Sequence, residues 1–565
     1  MRPSLNKDDL LFYDIEVFKE DTFVVFKNYE RETLKVFHNT FEGVLELITG
    51  KTLCGFNNAF YDDHILTAMI NQWTPYQIKQ LNDRIISGEK VKNIHSAIVS
   101  IDCFQEIDPS KPGLKKIEAN FGKMIKESSV DFTIDRKLTE EELQESIKYC
   151  EYDVDMTITV FDLRLDNYFQ PKMQILEMKK SLPEKAYRWN TTTIAANVLL
   201  DKPTTKWSQI RMTDEMLDLA PDEVKEMWLT KDKGTITTQD FDNDITWAFG
   251  GLHSAHKHRT HFKNVVNLDV RSFHPSTIVN FDIIGIATKL YNEILEERVR
   301  IKHTEKKKQE ALKLILNSVY GLLKSKYSML FNPKASTTVC AISQVLIYDL
   351  GKRLSSTCTI VQMNTDGVAF LPHTDDYKTI WKEWEEHWGY TLEEDIFHDF
   401  IQRDVNNYMA TYTDKKGNLA IKTKGGDVNN YARDNYFKNN NTRIVDIAIV
   451  DYLIHGKDVL ETLIENTDKP HLYQYVLKAG YTYEGTCDQD GNVLNTKVNR
   501  VFAGREEGLT LYKKRPDGGM VRYADAPDKM LLWNDDCKDF EGFADKVDIN
   551  FYYQLIKRKL KSWEA

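Results

Sequence analysis

Cysteine is scarce: the seven in 565 residues, at 54, 103, 150, 340, 358, 487 and 537, are an odd number with no C-x-x-C pair. That speaks against a disulfide framework or a zinc ribbon and leaves reduced thiols. Long apolar runs are also missing. The stretch from Thr338 to Leu350 is interrupted by polar residues and falls short of the roughly 18 residues a membrane span needs. The opening Met-Arg-Pro-Ser-Leu-Asn-Lys lacks a basic region followed by an apolar one, so a cytosolic protein is expected. There is no internal repeat and no low-complexity tract. Positive charge is in the minority, with 75 Lys and Arg against 86 Asp and Glu and a net charge of -11. For a polyanionic partner the clustering of cations matters more than the total. Residues 298–326 hold nine Lys or Arg against two Glu, while the acidic balance lies in 212–245 and 382–400. The remainder is of ordinary globular composition, 41% hydrophobic and 28% charged, and long enough for about three to four domains.

Residues 10–160 alternate apolar strands (LLFYDIEVF, TFVVFKN, TLKVFHN) with helical periodicity (FEGVLELI, EEELQESIKYCEYDVDMTITVF), which predicts an α/β unit. Residues 166–245 read as a helical connection and about 246–376 as a second α/β unit. Residues 377–565, with turn signals DKKGN, DQDGN and RPDGG, form a further lobe. In the first unit Asp14 and Glu16 are two apart, on one face of a strand. Asp62 follows an apolar run in GFNNAFYDDHIL, and Tyr149 and Asp153 are four apart, on one face of a helix. Each alone has a plain alternative, Asp153 paired on a solvated face and Asp62 or Asp63 starting a helix. Together, four carboxylates and a phenol suit phosphodiester hydrolysis with two Mg²⁺ ions, Tyr149 orienting the water.

The order D-x-E, then N-x-x-Y-D (Asn58 to Asp62), then Y-x-x-x-D (Tyr149 to Asp153), with LKKIEANFG before the third, resembles the DEDDy class of 3′-5′ proofreading exonucleases. The resemblance implies an RNase H-like domain in residues 1–165. It makes Asp14, Glu16, Asp62 and Asp153 metal ligands, Tyr149 the water-orienting catalytic residue and Asn58 a contact to the single-stranded end.

Further on, VVNLDVRSFHPSTI ends a β-branched strand at Asp269 and runs through Ser272 and Pro275 into a helix start. A carboxylate beside free backbone N–H groups suits a metal-bound triphosphate, the metal taking the carboxylate and the phosphates the amides. The segment EILEERVRIKHTEKKKQEALKLILNSVYGLLKSKYS predicts two helices joined near 303–305. Arg298 and Lys302 lie on the first, Lys313, Asn317 and Tyr320 on the second. A solvated face is the plain alternative, but a one-signed excess is disfavoured by repulsion unless an anion arrives. CTIVQMNTDGVAFL predicts a hairpin with Asp366 at its tip, where Asp366 and Gly367 have the alternative of serving the turn alone.

D-x-x-S-x-x-P-S (Asp269 to Ser276), K-x-x-x-N-S-x-Y-G (Lys313 to Gly321) and Thr365-Asp366 in a hairpin look like motifs A, B and C of family B DNA polymerases. FGGLH at 249–253 resembles that family's Y-x-G-G link. With the exonuclease motifs the likeness runs over residues 8–375, and the relatives expected are compact phage polymerases. It implies an α/β and α+β multidomain fold, an RNase H-like exonuclease plus a right-hand polymerase. The palm would occupy 246–288 and 327–376, small fingers 289–326, and the rest of the palm with the thumb 377–565. By position, Asp269 and Asp366 would bind two Mg²⁺ (or Mn²⁺) ions, and Arg298, Lys302, Lys313 and Ser272 the incoming triphosphate. Asn317 and Tyr320 would line the nascent base pair, and His274 stands where the family has its ribose-gating Tyr. Gly250, Gly251, Lys422 and Lys424 are the expected DNA contacts. The expected activity is template-directed DNA synthesis with proofreading on primer-template DNA and dNTPs. A monomer without membrane association is expected, in a bacterial host's cytoplasm if phage-encoded. Asn364-Thr365-Asp366-Gly367 departs from the family's D-T-D followed by Ser. The alternative is therefore a 3′-5′ exonuclease whose degenerate palm only holds DNA. The intervals 270–312 and 322–363 leave little room for the insertions of protein-primed members, so an ordinary primer is expected.

Overall fold

Alternating burial organises the N-terminal sheet. In strand β1 (Leu10–Val17), Leu11, Tyr13, Ile15 and Val17 join one apolar cluster, and Leu10 and Phe12 join the other. Strands β2 (Thr22–Lys27), β3 (Thr33–His38), β4 (Thr52–Gly55) and β5 (Ser100–Asp102) complete a sheet ordered β3-β2-β1-β4-β5. β2 and β3 run antiparallel in a meander, whereas β4 pairs in parallel with β1 and β5 in parallel with β4. Helix α1 (Asp62–Ile70) packs Ile65, Leu66 and Met69 against the odd-numbered side of β1. Helix α2 (Leu114–Asn120) precedes the long α3 (Glu140–Arg164), which covers the even-numbered side with Cys150, Val154, Ile158 and Phe161. Past Phe12 the even positions are Asp14 and Glu16, so the strand's own alternation turns both carboxylates toward α3.

The protein is described here by a computed structural model covering residues 2–231, 233–432, 435–438 and 441–564. Two units emerge, one of residues 1–194, 435–441 and 468–547 and one of residues 195–434, 442–467 and 548–565. Helices at Gln170–Glu177, Thr191–Leu199, Asp214–Leu219 and Asp222–Thr230 give way to β6 (Thr235–Asp240) and β7 (Asn243–Ala248). The expected helical connection over 166–245 therefore ends in a hairpin. Its cause is local: Phe241 and Asp242 take positive φ (55° and 60°), the turn that matches strand twist.

The second unit is built on β8 (Gly251–His256), β9 (His261–Val270), β10 (Cys358–Asn364), β11 (Gly367–Pro372), β12 (Leu392–Asp404), β13 (Asn407–Thr413) and β14 (Leu419–Lys424). With β6 and β7 they form an antiparallel sheet ordered β14-β13-β12-β9-β11-β10-β8-β7-β6. Helices α4 (Phe273–Asn280), α5 (Thr288–Ile301) and α6 (Lys306–Lys324) fill the interval between β9 and α7 (Pro333–Leu354). α7 is buried along most of its length, packing Ile342, Val345, Leu346 and Leu350 with Leu268, Met363, Val368 and Phe370 of the sheet. Helices α8 (Arg443–His455), α9 (Val459–Glu465) and α10 (Ile549–Glu564) belong to the same unit. No helix among the described residues is long and apolar enough to cross a membrane.

Between α9 and α10 the chain leaves this unit, and residues 468–547 pack with the first. The expected single lobe over 377–565 is thus divided between two units. The excursion holds β15 (Tyr475–Lys478), β16 (Gly485–Cys487), β17 (Val498–Ala503), β18 (Tyr512–Lys514), β19 (Met520–Arg522) and β20 (Met530–Leu532), in sheets ordered β15-β17-β20 and β16-β18-β19. Arg500 on β17 explains the attachment. It is fully buried and donates to Gln474 Oε1 at 2.8 Å, Asp535 O at 2.6 Å, Ala119 O at 3.1 Å and Lys123 O at 2.5 Å. The last two lie in the final turn of α2 and just past its end, and Ala119 O also accepts from Gly122 N at 2.9 Å. Asn120 Nδ2 adds bonds to Tyr436 O (2.8 Å) and Lys438 O (3.0 Å). Replacing Arg500 by Met would take the guanidinium from the buried Gln474 Oε1 and from the Asp535 and Lys123 carbonyls, and we expect the first unit to lose about 3 kcal/mol. The checks are its urea midpoint and the hydrogen-exchange protection of α2.

Candidate active sites

Where the even side of β1 meets α3, ligand atoms of Asp14, Glu16 and Cys150 all lie within 4.8 Å of one another. Cys150 Sγ donates toward Asp14 Oδ2 at 3.6 Å. Asp153 on α3 and Asp62, the first residue of α1, complete the set, both nearly buried. Burial, then the charge of Asp153, pushes Asp14 up to about 7. Glu16 is held well above its ordinary value by burial and by Asp14, Asp153 and Asp62, and Asp62 likewise by burial, Asp14 and Asp63. Asp153 is raised by burial, against the pull of Lys115. Lys115 Nζ pairs with Asp153 and, at 3.3 Å, with Glu118, and lies 4.6 Å from the centroid of the Tyr149 ring. Burial acts to lower its pKa, but the two carboxylates outweigh that and raise it. Tyr149 hydrogen-bonds Asp153, and burial with the surrounding carboxylates keeps its phenol protonated. The structure therefore brings Asp14, Glu16, Asp62, Tyr149 and Asp153 together. Sequence reasoning missed Cys150, Glu118 and the part played by Lys115, although the latter two stand in the LKKIEANFG stretch it singled out.

Asp62 and its neighbour diverge. Asp63 accepts from Tyr13 Oη and Ser100 Oγ, each at 2.6 Å, and from Asn58 Nδ2 at 3.2 Å, and it pairs with Arg188 at 3.4 Å. Asn58 is fully buried in this network. Expected to contact a single-stranded end, Asn58 uses its amide here to brace Asp63. Gly55 gives it room, since a Cβ there would stand 2.6 Å from Asn58 Cβ.

In the second unit, Asp269 and Asp366 meet through strand register. Gly367 of β11 pairs with Asp269 of β9, and Val270 N donates to Asp366 O at 2.7 Å. Thr365 and Asp366 form the two-residue turn between β10 and β11. Burial, with Asp366 adding to it, pushes Asp269 up to about 6, while Asn267 and Lys422 act the other way. Gly367 is a packing requirement, because a Cβ would lie 1.9 Å from Asp269 Oδ1. Asn364 Oδ1 accepts from Thr365 N at 2.9 Å, and the side chain also bonds His253. Of the two link glycines, Gly250 is exposed, but Gly251 is buried, where a Cβ would stand 2.5 Å from Thr365 Oγ1. At Gly251, an expected DNA contact, the absence of a Cβ is what lets β8 reach the hairpin tip.

Ser272, the N-cap of α4, has φ 49°, in the left-handed region, and leaves the first-turn amides of α4 uncapped by its side chain. Arg298 of α5 donates to Ser272 Oγ at 3.2 Å, while its buried Nε has no partner among the described residues. His274 lies 4.6 Å, centroid to centroid, from Tyr320 of α6, and burial lowers its pKa. Lys302 pairs with Glu393 at 3.4 Å and Lys313 with Glu310 at 3.5 Å; Asn317 is exposed. Such half-exposed pairs are worth about 1 kcal/mol at most, so a phosphate competes for both lysines. Lys422 and Lys424 alternate on β14, the first acting on Asp269 and the second on His253. Lys324, unnoticed in the sequence, bonds Phe249 O at 2.9 Å and lies 4.4 Å over the Tyr320 ring.

Asp14 and Glu16, with the Cys150 thiol beside them and Asp62 and Asp153 near, and the pair Asp269 and Asp366 offer carboxylate oxygens, the donors that hard divalent cations such as Mg²⁺ take. The first offers four carboxylates. The second offers two, with Asn364 Oδ1 already accepting a turn hydrogen bond.

No family model matches the chain, and no curated protein matches it. Among solved structures it is similar to the family B DNA polymerase from the hyperthermophilic archaeon Pyrobaculum calidifontis, at 12% identity over 98% of this chain and 77% of that one, with a TM-score of 0.46.

Because Asp14 is pushed up to about 7 in the folded state, the stability that goes with its proton is present at low pH and lost as pH rises through about 7. Asp14→Asn should therefore melt progressively higher than the wild type between pH 5 and pH 8. Added Mg²⁺ should narrow that gap by stabilising the wild type more than the variant, as scanning calorimetry would reveal.

Proposed function

We propose that the protein is a template-directed DNA polymerase with a proofreading 3′-5′ exonuclease in the same chain. One observation carries the reading: each unit brings carboxylates together, and the second pair is flanked by Arg298, the start of α4 without a side-chain cap and a His274–Tyr320 ring pair. When bound, divalent ions supply Lewis-acid stabilisation of the attacking and leaving oxygens at both clusters. Asp269 and Asp366 hold them in the second unit, Asp14, Glu16, Asp62 and Asp153 in the first. Arg298 and the first-turn amides of α4 bind the triphosphate, with Lys302 and Lys313 released from their glutamates to join them. His274 and Tyr320 line the sugar and base of the incoming nucleotide, Asn317 joins them, and Lys422 and Lys424 take primer phosphates. The primer 3′ hydroxyl, losing its proton, then attacks the α-phosphate as the α–β phosphoanhydride breaks and pyrophosphate leaves, and most of the protein's work is positioning. In the first unit Tyr149, its phenol held protonated, orients the water that attacks the terminal phosphodiester. Lys115 offsets the charge of Asp153. Replication of a phage genome by a monomer in a host's cytoplasm is the setting that suits this reading.

A second reading has its own support. Asn364 spends its side-chain oxygen on Thr365 N, and with one ligand fewer the second unit becomes a non-synthesising holder of DNA beside an active nuclease.

A 5′-labelled primer on a longer template with Mg²⁺ separates them: the polymerase reading expects extension with dNTPs and shortening without, the second reading shortening in both. Asp366→Ala should abolish extension and retain shortening, and Asp14→Ala with Glu16→Ala should do the reverse. Extension that survives Asp366→Ala would remove that residue from the mechanism. Gly367→Ala, which displaces the Asp269 carboxylate, should slow extension about a hundredfold, since a misplacement of about 1 Å costs that much.

A further inference from the structure

Within the first unit a cavity of about 70 Å³ opens between the turn Asn58–Phe60, strand β5 and the helix Gln170–Glu177. That is several times the space one water needs. None of the carboxylates of the first cluster lines it. Ile101, Phe169 and Met173 give it apolar walls, and Lys172 and Arg188 bring cations. Only 2% of Lys172 is exposed, so its ammonium is held out of water. Its Nζ donates to two neutral oxygens, Gln105 Oε1 at 2.5 Å and Tyr168 Oη at 3.4 Å. Gln105 is fixed in turn, its Nε2 donating to Arg188 O at 2.8 Å. Among the described residues no carboxylate oxygen lies within 4.0 Å of the ammonium. Burial, with the charge of Arg164 behind it, pushes its pKa down to about 8 against the pull of Glu106 and Asp102. Those two carboxylates are committed elsewhere. Glu106 accepts from Tyr168 Oη (3.0 Å), Thr191 N (2.8 Å) and Thr191 Oγ1 (2.6 Å), and Asp102 from the backbone N–H of Asn57 and Phe104, both at 2.8 Å. Arg188 divides its guanidinium among Asp63 at 3.4 Å and Ser100 Oγ and Ile98 O, each at 3.2 Å. A π-helical turn, Leu165–Phe169, sits immediately before the lysine's helix and contributes Phe169 to the cavity. A buried ammonium without a counter-ion, on the wall of a cavity with room for more than one water, favours an anion of the cavity's size.

We propose that this cavity is a site for a compact oxyanion of the phosphate class, with Lys172 as its counter-ion and Arg188 as a second donor. Phosphate carries enough acceptor oxygens to serve an ammonium and a guanidinium at once. Phe60, which also lines the cavity and is 73% exposed, sets the opening at the protein surface. The free ion and a nucleoside monophosphate share the recognised group. The site is separate from both carboxylate sets and stands under either reading of them.

The test uses the full chain without divalent ions, so that phosphate does not enter through a metal, and at constant ionic strength. Inorganic phosphate, thymidine 5′-monophosphate and thymidine are titrated in turn by isothermal calorimetry, and melting is followed by scanning calorimetry. The wild type should bind phosphate saturably and melt about 4 °C higher at about a tenfold excess over Kd. Phosphate also stabilises proteins by exclusion from their surface, but that rise does not saturate and every variant shares it. Lys172→Met, which keeps most of the side chain and removes its charge, should lose about tenfold in affinity, the worth of one hydrogen bond to a charged group. Met173→Trp, which fills the cavity and keeps the ammonium, should lose binding as well, and it serves if Lys172→Met does not fold. Amide exchange in the Asn58–Phe60 turn should slow on addition of phosphate, which separates this cavity from Arg298 in the second unit. Binding of phosphate and the monophosphate alike assigns a nucleotide's phosphate group, and binding of phosphate alone assigns the free ion; either sustains the proposal when the variants lose it. Affinity unchanged in both variants, or no saturable binding of either phosphate, would overturn it. Thymidine binding as tightly as its monophosphate would overturn it too, since the base would then be the recognised group.

Discussion

Negative charge gathered out of water is the constraint on which both units turn. Two like charges about 4 Å apart repel by roughly 4 kcal/mol at the effective dielectric of a protein surface, so a carboxylate cluster persists only where a rigid frame imposes it. The two frames answer differently. In the first unit a lysine, a phenol and a thiol are set among the carboxylates, with Lys115 on Asp153, Tyr149 on Asp153 and Cys150 on Asp14. In the second, Asp269 has the Asn267 amide, the charge of Lys422 and the bare Gly367 beside it, and the carbonyl of Asp366 is tied to Val270 N. Raised carboxyl pKa values in both come first from burial and then from that repulsion.

The short helix α2 shows how far support for the first cluster extends. Its last turn is held by Arg500, and its opening residues border a separate cavity that Lys478 and Lys497 also line. Lys115 and Glu118 ride on this helix. The excursion of residues 468–547 therefore holds in place the only cation that touches the carboxylate set among the described residues. A buried guanidinium serving three carbonyls and an amide oxygen is a directional fastening, with every donor geometry specified, in contrast to a hydrophobic patch that tolerates sliding.

Around Asp366, departures from a familiar pattern of motif letters have a steric logic. Gly367 occupies a position where any side chain would strike the Asp269 carboxylate, and Gly251 one where a Cβ would strike Thr365. Asn364 accepts the hydrogen bond of the next residue's backbone and so shapes the turn that carries Asp366. Removal of side chains at two points and a self-contained turn at a third bring β8, β9 and the hairpin tip closer than larger residues would allow. The close approach of Asp269 and Asp366 is thus a property of the whole set.

What could be read in advance rested on short-range periodicity. The alternation of β1 put Asp14 and Glu16 on one face, the spacing in α3 aligned Tyr149 with Asp153, and the Asn-Thr-Asp-Gly turn fixed the hairpin. The helix pair α5 and α6 likewise follows from charge and apolar spacing alone. These are consequences of backbone geometry over a few residues, which the amino-acid order determines by itself. Tertiary packing decided the rest. Which of Asp62 and Asp63 faces the cluster depends on Tyr13 and Ser100, both far away in the chain, and the burial of Asn58 on the absence of a side chain at Gly55. The hairpin over 235–248 hid behind a helical expectation because its turn relies on positive φ at Phe241 and Asp242, residues with no glycine to announce it. That residues 468–547 return to the first unit was illegible because the fastening pairs Arg500 with carbonyls in and just after α2, and backbone acceptors carry no signature in the sequence.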